Sequence, residues 1–286
     1  MNRRDFAVAS CMAATALLAQ RGLAGGSVTH RDGYLRFDRD LPGLKPTPFA
    51  AGTLERDSGY PGYQTFNETG DEFYYAVTDR EWTSSHIRHI SARALDKVET
   101  LRLVSDQWEG EPCITLDGSR MFFTAILPPG DKPWHSDLYS LDRTASGWSA
   151  PKLLPAPVNT EASEWHASVA ANGVLYFGSE RDGGRLRADI FRAVPVNGAY
   201  PKVEKLPAGI NSEYNDCDPL IAPDESYLIF HSNRPGGFGE HDLYVSFRDR
   251  HGNWSAPKNM GPEINSAGWE MAPSLTPDGK YLLFTR

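Results

Sequence analysis

The sequence predicts an all-β chain made of one four-stranded unit used several times. Its segments recur at a spacing near 53 residues, and each recurrence holds short apolar runs split by turn residues. Gly (26) and Pro (21) exceed their usual share, which favours turns over a helical bundle. Length (286 residues) and composition (40% hydrophobic, 23% charged) suit one large globular domain or at most two.

The spacing is carried by several independent tracks. Trp-Ser-Ala-Pro-Lys stands at Trp148–Lys152 and again at Trp254–Lys258, 106 residues on. Asn159, Asn211 and Asn265 step by 52 and 54, and Phe123, Phe177, Phe230 and Phe284 step by 54, 53 and 54. Asp137, Asp189 and Asp242 each precede an apolar-aromatic pair. Within a unit the first strand is short and apolar, as in Cys113-Ile114-Thr115 or Pro219-Leu220-Ile221. Asp117-Gly118, Asn172-Gly173 and Asp278-Gly279 then supply the positive φ of a tight hairpin. The second strand is Met121–Phe123, Leu175–Phe177, Leu228–Phe230 or Leu282–Phe284. A Gly/Pro loop follows, then the Asp-led third strand, whose Asp is expected to fix the turn. The fourth strand falls near Lys202–Leu206 and Ser255–Asn259. Residues 91–97 are compatible with a helix or with a loop and strand.

A four-stranded unit at this period is the signature of a β-propeller, where each sheet needs its neighbours to cover both faces. Units are expected at about 59–108, 109–163, 164–212, 213–267 and 268–286. The fifth holds only two strands. The preceding segment, 25–58, is expected to complete it and join the termini, giving five blades, or six if that segment hides a degenerate unit. Pro273-Ser274-Leu275-Thr276-Pro277-Asp278-Gly279-Lys280-Tyr281-Leu282-Leu283-Phe284 resembles the Pro-Asp-Gly repeat of TolB-type, WD-repeat-like β-propellers. So does Phe230–Gly237 with Asp242-Leu243-Tyr244, and the resemblance spans roughly residues 50–286. Glu68-Thr69-Gly70 and Ala171-Asn172-Gly173 depart from the motif. The resemblance implies an exported propeller used for binding and assembly, in a family that also includes modules attached to enzymes.

Residues 1–24 carry an export pattern: Arg3-Arg4, an apolar stretch from Ala7 to Ala19, and small residues ending at Ala24. Asn2-Arg3-Arg4-Asp5-Phe6 resembles a twin-arginine signal, so a periplasmic or secreted protein is expected. No apolar run is long enough to span a membrane. The net charge of −8 without a Lys/Arg block makes nucleic acid an unexpected partner. Cys113 and Cys217 fall in non-neighbouring units and are expected to be small buried hydrophobes, too few for a typical structural zinc site.

Aligning the units brings an acid before each later first strand: Glu109, Glu164, Asp216 and Glu270. These acids either bond within their own unit or cluster at one mouth of the channel. Repetition favours the first, because a fold-wide structural role repeats and a catalytic one does not. Two residues on, the pattern varies as Glu111, His166, Asp218 and Ala272, and variation inside a repeat is where a specific site is written. Trp165 beside His166 suits stacking on a sugar or a partner side chain. Arg181 and Arg234 follow the second strands at matched positions, for an ion pair with the acids or an anionic-ligand clamp. No catalytic or metal motif is present, no cofactor is expected, and calcium has no motif support. The expected function is a non-catalytic, monomeric propeller binding a protein or cell-envelope partner through its loop-rich face. The alternative is an enzyme acting on a carbohydrate or other polar substrate at the channel mouth.

Overall fold

The structure is a computed structural model describing residues 29–31, 34–36, 45–49, 54, 59–81, 83–104, 108–126 and 135–286. The expected export segment, 1–24, and much of 25–58 lie outside them. The described residues are all-β, and no helix is long and apolar enough to cross a membrane.

After a two-stranded ribbon, β1 (Thr29–Arg31) with β2 (Tyr34–Arg36), the strands run as antiparallel meanders. The first unit holds β3 (Tyr60–Phe66), β4 (Glu72–Thr78), β5 (Ser85–Ser91) and β6 (Ala94–Thr100). The second holds β7 (Trp108–Ile114), β8 (Arg120–Ile126) and β9 (Ser136–Thr144), with the short β10 (Gly147–Trp148) and β11 (Lys152–Leu153) both on β9. The third is β12 (Glu164–Val169), β13 (Leu175–Ser179), β14 (Asp189–Ala193) and β15 (Val203–Lys205). The fourth is β16 (Asp216–Ile221), β17 (Tyr227–Ser232), β18 (Asp242–Phe247) and β19 (Lys258–Asn259). The fifth is β20 (Met271–Leu275) with β21 (Leu282–Thr285). Of the ambiguous stretch 91–97, Ser91 ends β5 and residues 94–97 open β6, so it is strand and turn.

Side chains alternate across each strand, so every sheet feeds two interfaces. Met121 and Phe123 face the first unit with Tyr74 and Ile87, while Phe122 faces the third with Leu175 and Phe177. Tyr176 and Ile190 pack on Leu228 and Phe230, and Ile229 and Leu243 pack on Leu282 and Phe284. Leu283 then packs on Phe66 and Phe73 of the first unit, in a cluster that also takes in Phe49 and Leu54. Buried apolar clusters thus join the units in cyclic order. Contacts of β20 and β21 with β3 follow the same path, and Gln64 Nε2 donates to Ala272 O at 3.1 Å. The N-terminal segment therefore reaches the first–last seam through Phe49 and Leu54. Among the described residues β1 pairs with β2, and the expected completion of the sheet of β20 and β21 by 25–58 falls largely outside the described residues.

The repeated residues hold each unit together. Asn211 Oδ1 accepts from Ile190 N–H at 2.7 Å, and its amide donates to the carbonyls of Ile190 and Leu206. Asn159 braces Leu138 and Leu154 in the same way, and Asn265 braces Leu243. Asp242 accepts from the Phe238 and Gly239 N–H groups, as the turn role requires. A Cβ at Gly237 would lie 2.3 Å from the Asp242 carboxylate, so only glycine fits there. Trp148 and Trp254 each carry an arginine over the ring, Arg143 at 4.7 Å and Arg248 at 5.6 Å. Those arginines reach across to Glu72 and Glu225, which also take the hydroxyls of Tyr74 and Tyr176. The repeated pentapeptide is thus one side of a clamp between units.

Glu225 joins the third and fourth units through Asn172, Tyr176, Arg248 and Arg192. Burial alone would raise its carboxyl, but the Tyr176 and Asn172 bonds and the two arginines outweigh burial and hold it below the ordinary glutamate value. A depressed folded value means stabilisation that is present above the unfolded pKa and lost as pH falls through the folded one. Glu225→Gln is expected to cost about 2 kcal/mol at pH 7 in urea unfolding, and the gap from wild type to close below about pH 4.

Candidate functional site

Each of the five inner strands, β3, β7, β12, β16 and β20, carries one extra residue relative to its partner strand. At each of these bulges one residue is left-handed: Tyr63 (φ 50°), Glu111 (φ 56°), His166 (φ 35°), Asp218 (φ 49°) and Ala272 (φ 52°). None is glycine, so each bulge carries backbone strain of order 1–2 kcal/mol. The bulge side chains reach between units. Glu111 Oε2 accepts from His166 N–H and Thr124 Oγ1, both at 2.6 Å. Asp218 Oδ2 accepts from Ala272 N–H at 3.0 Å. The Tyr63 and His166 rings lie 5.9 Å apart, and Tyr63 OH contacts Met271 Sδ at 3.3 Å. Tyr63 closes the circuit through its N–H to Thr285 Oγ1 at 3.3 Å.

This ring is polar and buried. Glu111 is 2% exposed, Asp218 3% and His166 6%. Burial pushes the Glu111 carboxyl up to about 8, helped by the charge of Asp218 and opposed by the Thr124 and His166 donors. Burial acts on Asp218 in the same direction, but the His231 and His166 rings and the Ala272 N–H outweigh it and hold that carboxyl below the usual range. Burial lowers the His166 imidazole, against the pull of Asp218. The two carboxyls are thus biased in opposite directions, Glu111 towards the protonated form and Asp218 towards the ionised one. His231, in β17, places Nδ1 3.3 Å from Asp218 Oδ2, and the His241 ring packs edge-on to it at 4.9 Å.

The other expected site residues lie elsewhere. Glu109, Glu164, Asp216 and Glu270 are fully buried, and their hydrogen bonds run within the sheets and the loops that lead into them. Glu109 accepts from the Leu103 and Val104 N–H groups. Glu164 takes Thr160, Ser179 and Arg181, Asp216 takes Ser212 and Arg234, and Glu270 takes Ser266 and Arg286. Arg181 and Arg234 also donate to carbonyls of Val158 and Ile210 and lie over Phe177 and Phe230. These are internal clips, and Arg286 is their third member. Trp165 packs edge-on to Trp108 at 6.1 Å, with its indole N–H 3.4 Å from Glu180.

A cavity of about 170 Å³ runs along the inner strands beyond the bulges, and His166 lies in its wall. Its outer lining includes Glu68, Leu116, Pro223 and Pro277, at the turns between first and second strands. It therefore opens at the end opposite the repeated acids. Sequence reasoning singled out Glu111, His166 and Asp218 by their variation but missed Tyr63, His231 and His241. Tyr63 could have been found two residues after Pro61, the position that interrupts the acid track.

No protein-family description matches the sequence, and no curated protein does. Solved structures do share its architecture. Hydrazine synthase from Kuenenia stuttgartiensis superposes with a TM-score of 0.54 at 15% identity, over 79% of this chain but only 36% of that one. An α-L-arabinofuranosidase from Lactobacillus brevis superposes with a TM-score of 0.53 at 12% identity, over 82% of this chain and 85% of that one. At such identities the likeness is one of fold: the chain has an all-β, propeller-type architecture.

The internal clips and the polar ring separate by experiment. Asp216→Asn leaves Arg234 without its carboxylate and is expected to cost about 3 kcal/mol in urea unfolding. A small molecule that protects the wild type thermally is expected to protect this variant by the same increment, because Asp216 faces its own clip.

Proposed function

We propose that the chain is an exported enzyme acting on a small polar substrate of the carbohydrate class inside its channel. The single observation that carries this reading is the pair Glu111 and Asp218, buried in one ring and biased to opposite protonation states. Structural acids in this fold take the form of Asp216 and Glu164, each matched to an arginine. Among the described residues Glu111 has no such partner, and both of its hydrogen bonds run to Oε2, which leaves Oε1 for the proton. A protonated carboxyl beside an ionised one suits hydrolysis of a glycosidic or similar C–O bond. Glu111 gives its proton to the leaving oxygen, and Asp218 takes a proton from the water whose oxygen forms the new bond. A propeller-type arabinofuranosidase supports the choice of substrate class, since this architecture hosts such chemistry. Export by the twin-arginine segment belongs to the same proposal and places the substrate outside the cytoplasm.

A partner-binding role draws support from the exposed apolar side chains Leu186 (76%), Phe238 (50%) and Trp269 (48%). It leaves the polar ring without a task, so the enzyme reading is preferred.

Glu111→Gln keeps an acceptor for Thr124 and His166 and is expected to unfold within about 1 kcal/mol of wild type. Its turnover of a chromogenic glycoside panel is expected to fall at least a hundredfold. In the wild type, kcat is expected to fall as pH rises through about 8, where the acid ionises. Tyr63, Cys217 and Asp218 are the titratable groups that interact with its charge. Full activity in Glu111→Gln would sink the assignment.

A further inference from the structure

The fourth unit gathers three donors of different chemistry beside the ring. Cys217 in β16 faces His231 in β17 across the ladder, and Asp218 follows at the bulge. The Cys217 sulfur, a carboxylate oxygen of Asp218 and a ring nitrogen of His231 all lie within 4.8 Å of one another, and all three residues are buried. His231 Nδ1 is 3.3 Å from Asp218 Oδ2 but lacks hydrogen-bond geometry to any partner. His166 Nδ1, from the adjacent unit, is also buried without a partner. Native interiors hold few buried ring nitrogens without a hydrogen bond. Two of them beside one ionised carboxylate and a thiol form an imbalance that a cation corrects.

The donor types select the cation. Calcium takes six to eight oxygens, and Asp218 is the one oxygen-bearing residue of this trio. Thiolate and imidazole with one carboxylate suit a borderline-soft ion in tetrahedral geometry. We propose that Cys217, Asp218 and His231 form a zinc-type transition-metal site whose fourth position faces the channel at His166. Three protein ligands with an open fourth position is how catalytic zinc sites are arranged. His241, packed edge-on against His231, would fix the ring of that ligand. A bound ion would polarise the water that Asp218 otherwise orients. The site shares Asp218 with the reading above, as a ligand in place of the base, but leaves Glu111 outside it, so the metal site and the proton-donor role of Glu111 can fail independently.

Cobalt(II) is the probe, added to the chelator-stripped full chain. One equivalent is expected to give the visible bands of four-coordinate cobalt and a near-ultraviolet sulfur-to-cobalt charge-transfer band. Cys217→Ser should lose the charge-transfer band, and Cys113→Ser should keep it. His231→Ala should weaken binding at least tenfold, while Glu111→Gln should bind as wild type does. Zinc is expected to raise the melting temperature of wild type and not that of Cys217→Ser, with the two melting alike in chelator. Absence of a cobalt spectrum from folded wild-type chain overturns the site. Persistence of the charge-transfer band in Cys217→Ser overturns it as well.

Discussion

The structure depends on a bulge repeated at the same place in all five inner strands. Inner strands that converge on an axis leave little room for regular pairing, and one extra residue bends each strand and increases its local twist. The cost is a left-handed backbone at Tyr63, Glu111, His166, Asp218 and Ala272. Hydrogen bonds between units offset part of it, because the bulge side chain of one unit accepts from the bulge N–H of the next: Glu111 from His166 and Asp218 from Ala272. The same residues therefore connect the units and line the axis. A substitution at any of them acts on both roles, which is why isosteric changes such as Glu111→Gln are informative and truncations are not.

Outside the axis, each layer has a repeated solution. Alternating apolar residues feed two interfaces per sheet, and the asparagines and the acid–arginine clips complete each unit. These solutions recur because the geometry recurs, and they were legible for that reason. The period located the second strands to within three residues at either end, since Phe123, Phe177, Phe230 and Phe284 all lie in them. The repeated acids declared themselves structural by repeating. Arg286 was missed because it stands two residues after Phe284, whereas Arg181 and Arg234 stand four after Phe177 and Phe230.

The bulges themselves were not legible. Left-handed residues are usually advertised by glycine or asparagine. Here they are Tyr, Glu, His, Asp and Ala, in which nothing local signals positive φ. The first strands were consequently placed late: Cys113–Thr115 was expected, whereas β7 begins at Trp108. His231 and His241 were also invisible, because His231 reaches Asp218 from the second strand, His241 packs on His231 from just before the third, and the interval between them follows no motif. What variation within the repeat did reveal was the odd set Glu111, His166 and Asp218.

That oddness bears on what the axis is for. A ring needed only to close the fold is satisfied by small or apolar side chains, as Ala272 shows in the fifth unit. Two carboxyls and a histidine buried at the equivalent positions are costly instead, because each must find donors or change its protonation state. Thr124, the His166 N–H and the Ala272 N–H supply only part of that compensation, and the His166 and His231 Nδ1 atoms are left over. The repeated clips show that this fold can satisfy buried acids fully when stability is all that is required. Incomplete satisfaction at His166 and His231, beside a cavity that His166 lines, fits a site arranged around something the chain itself does not provide.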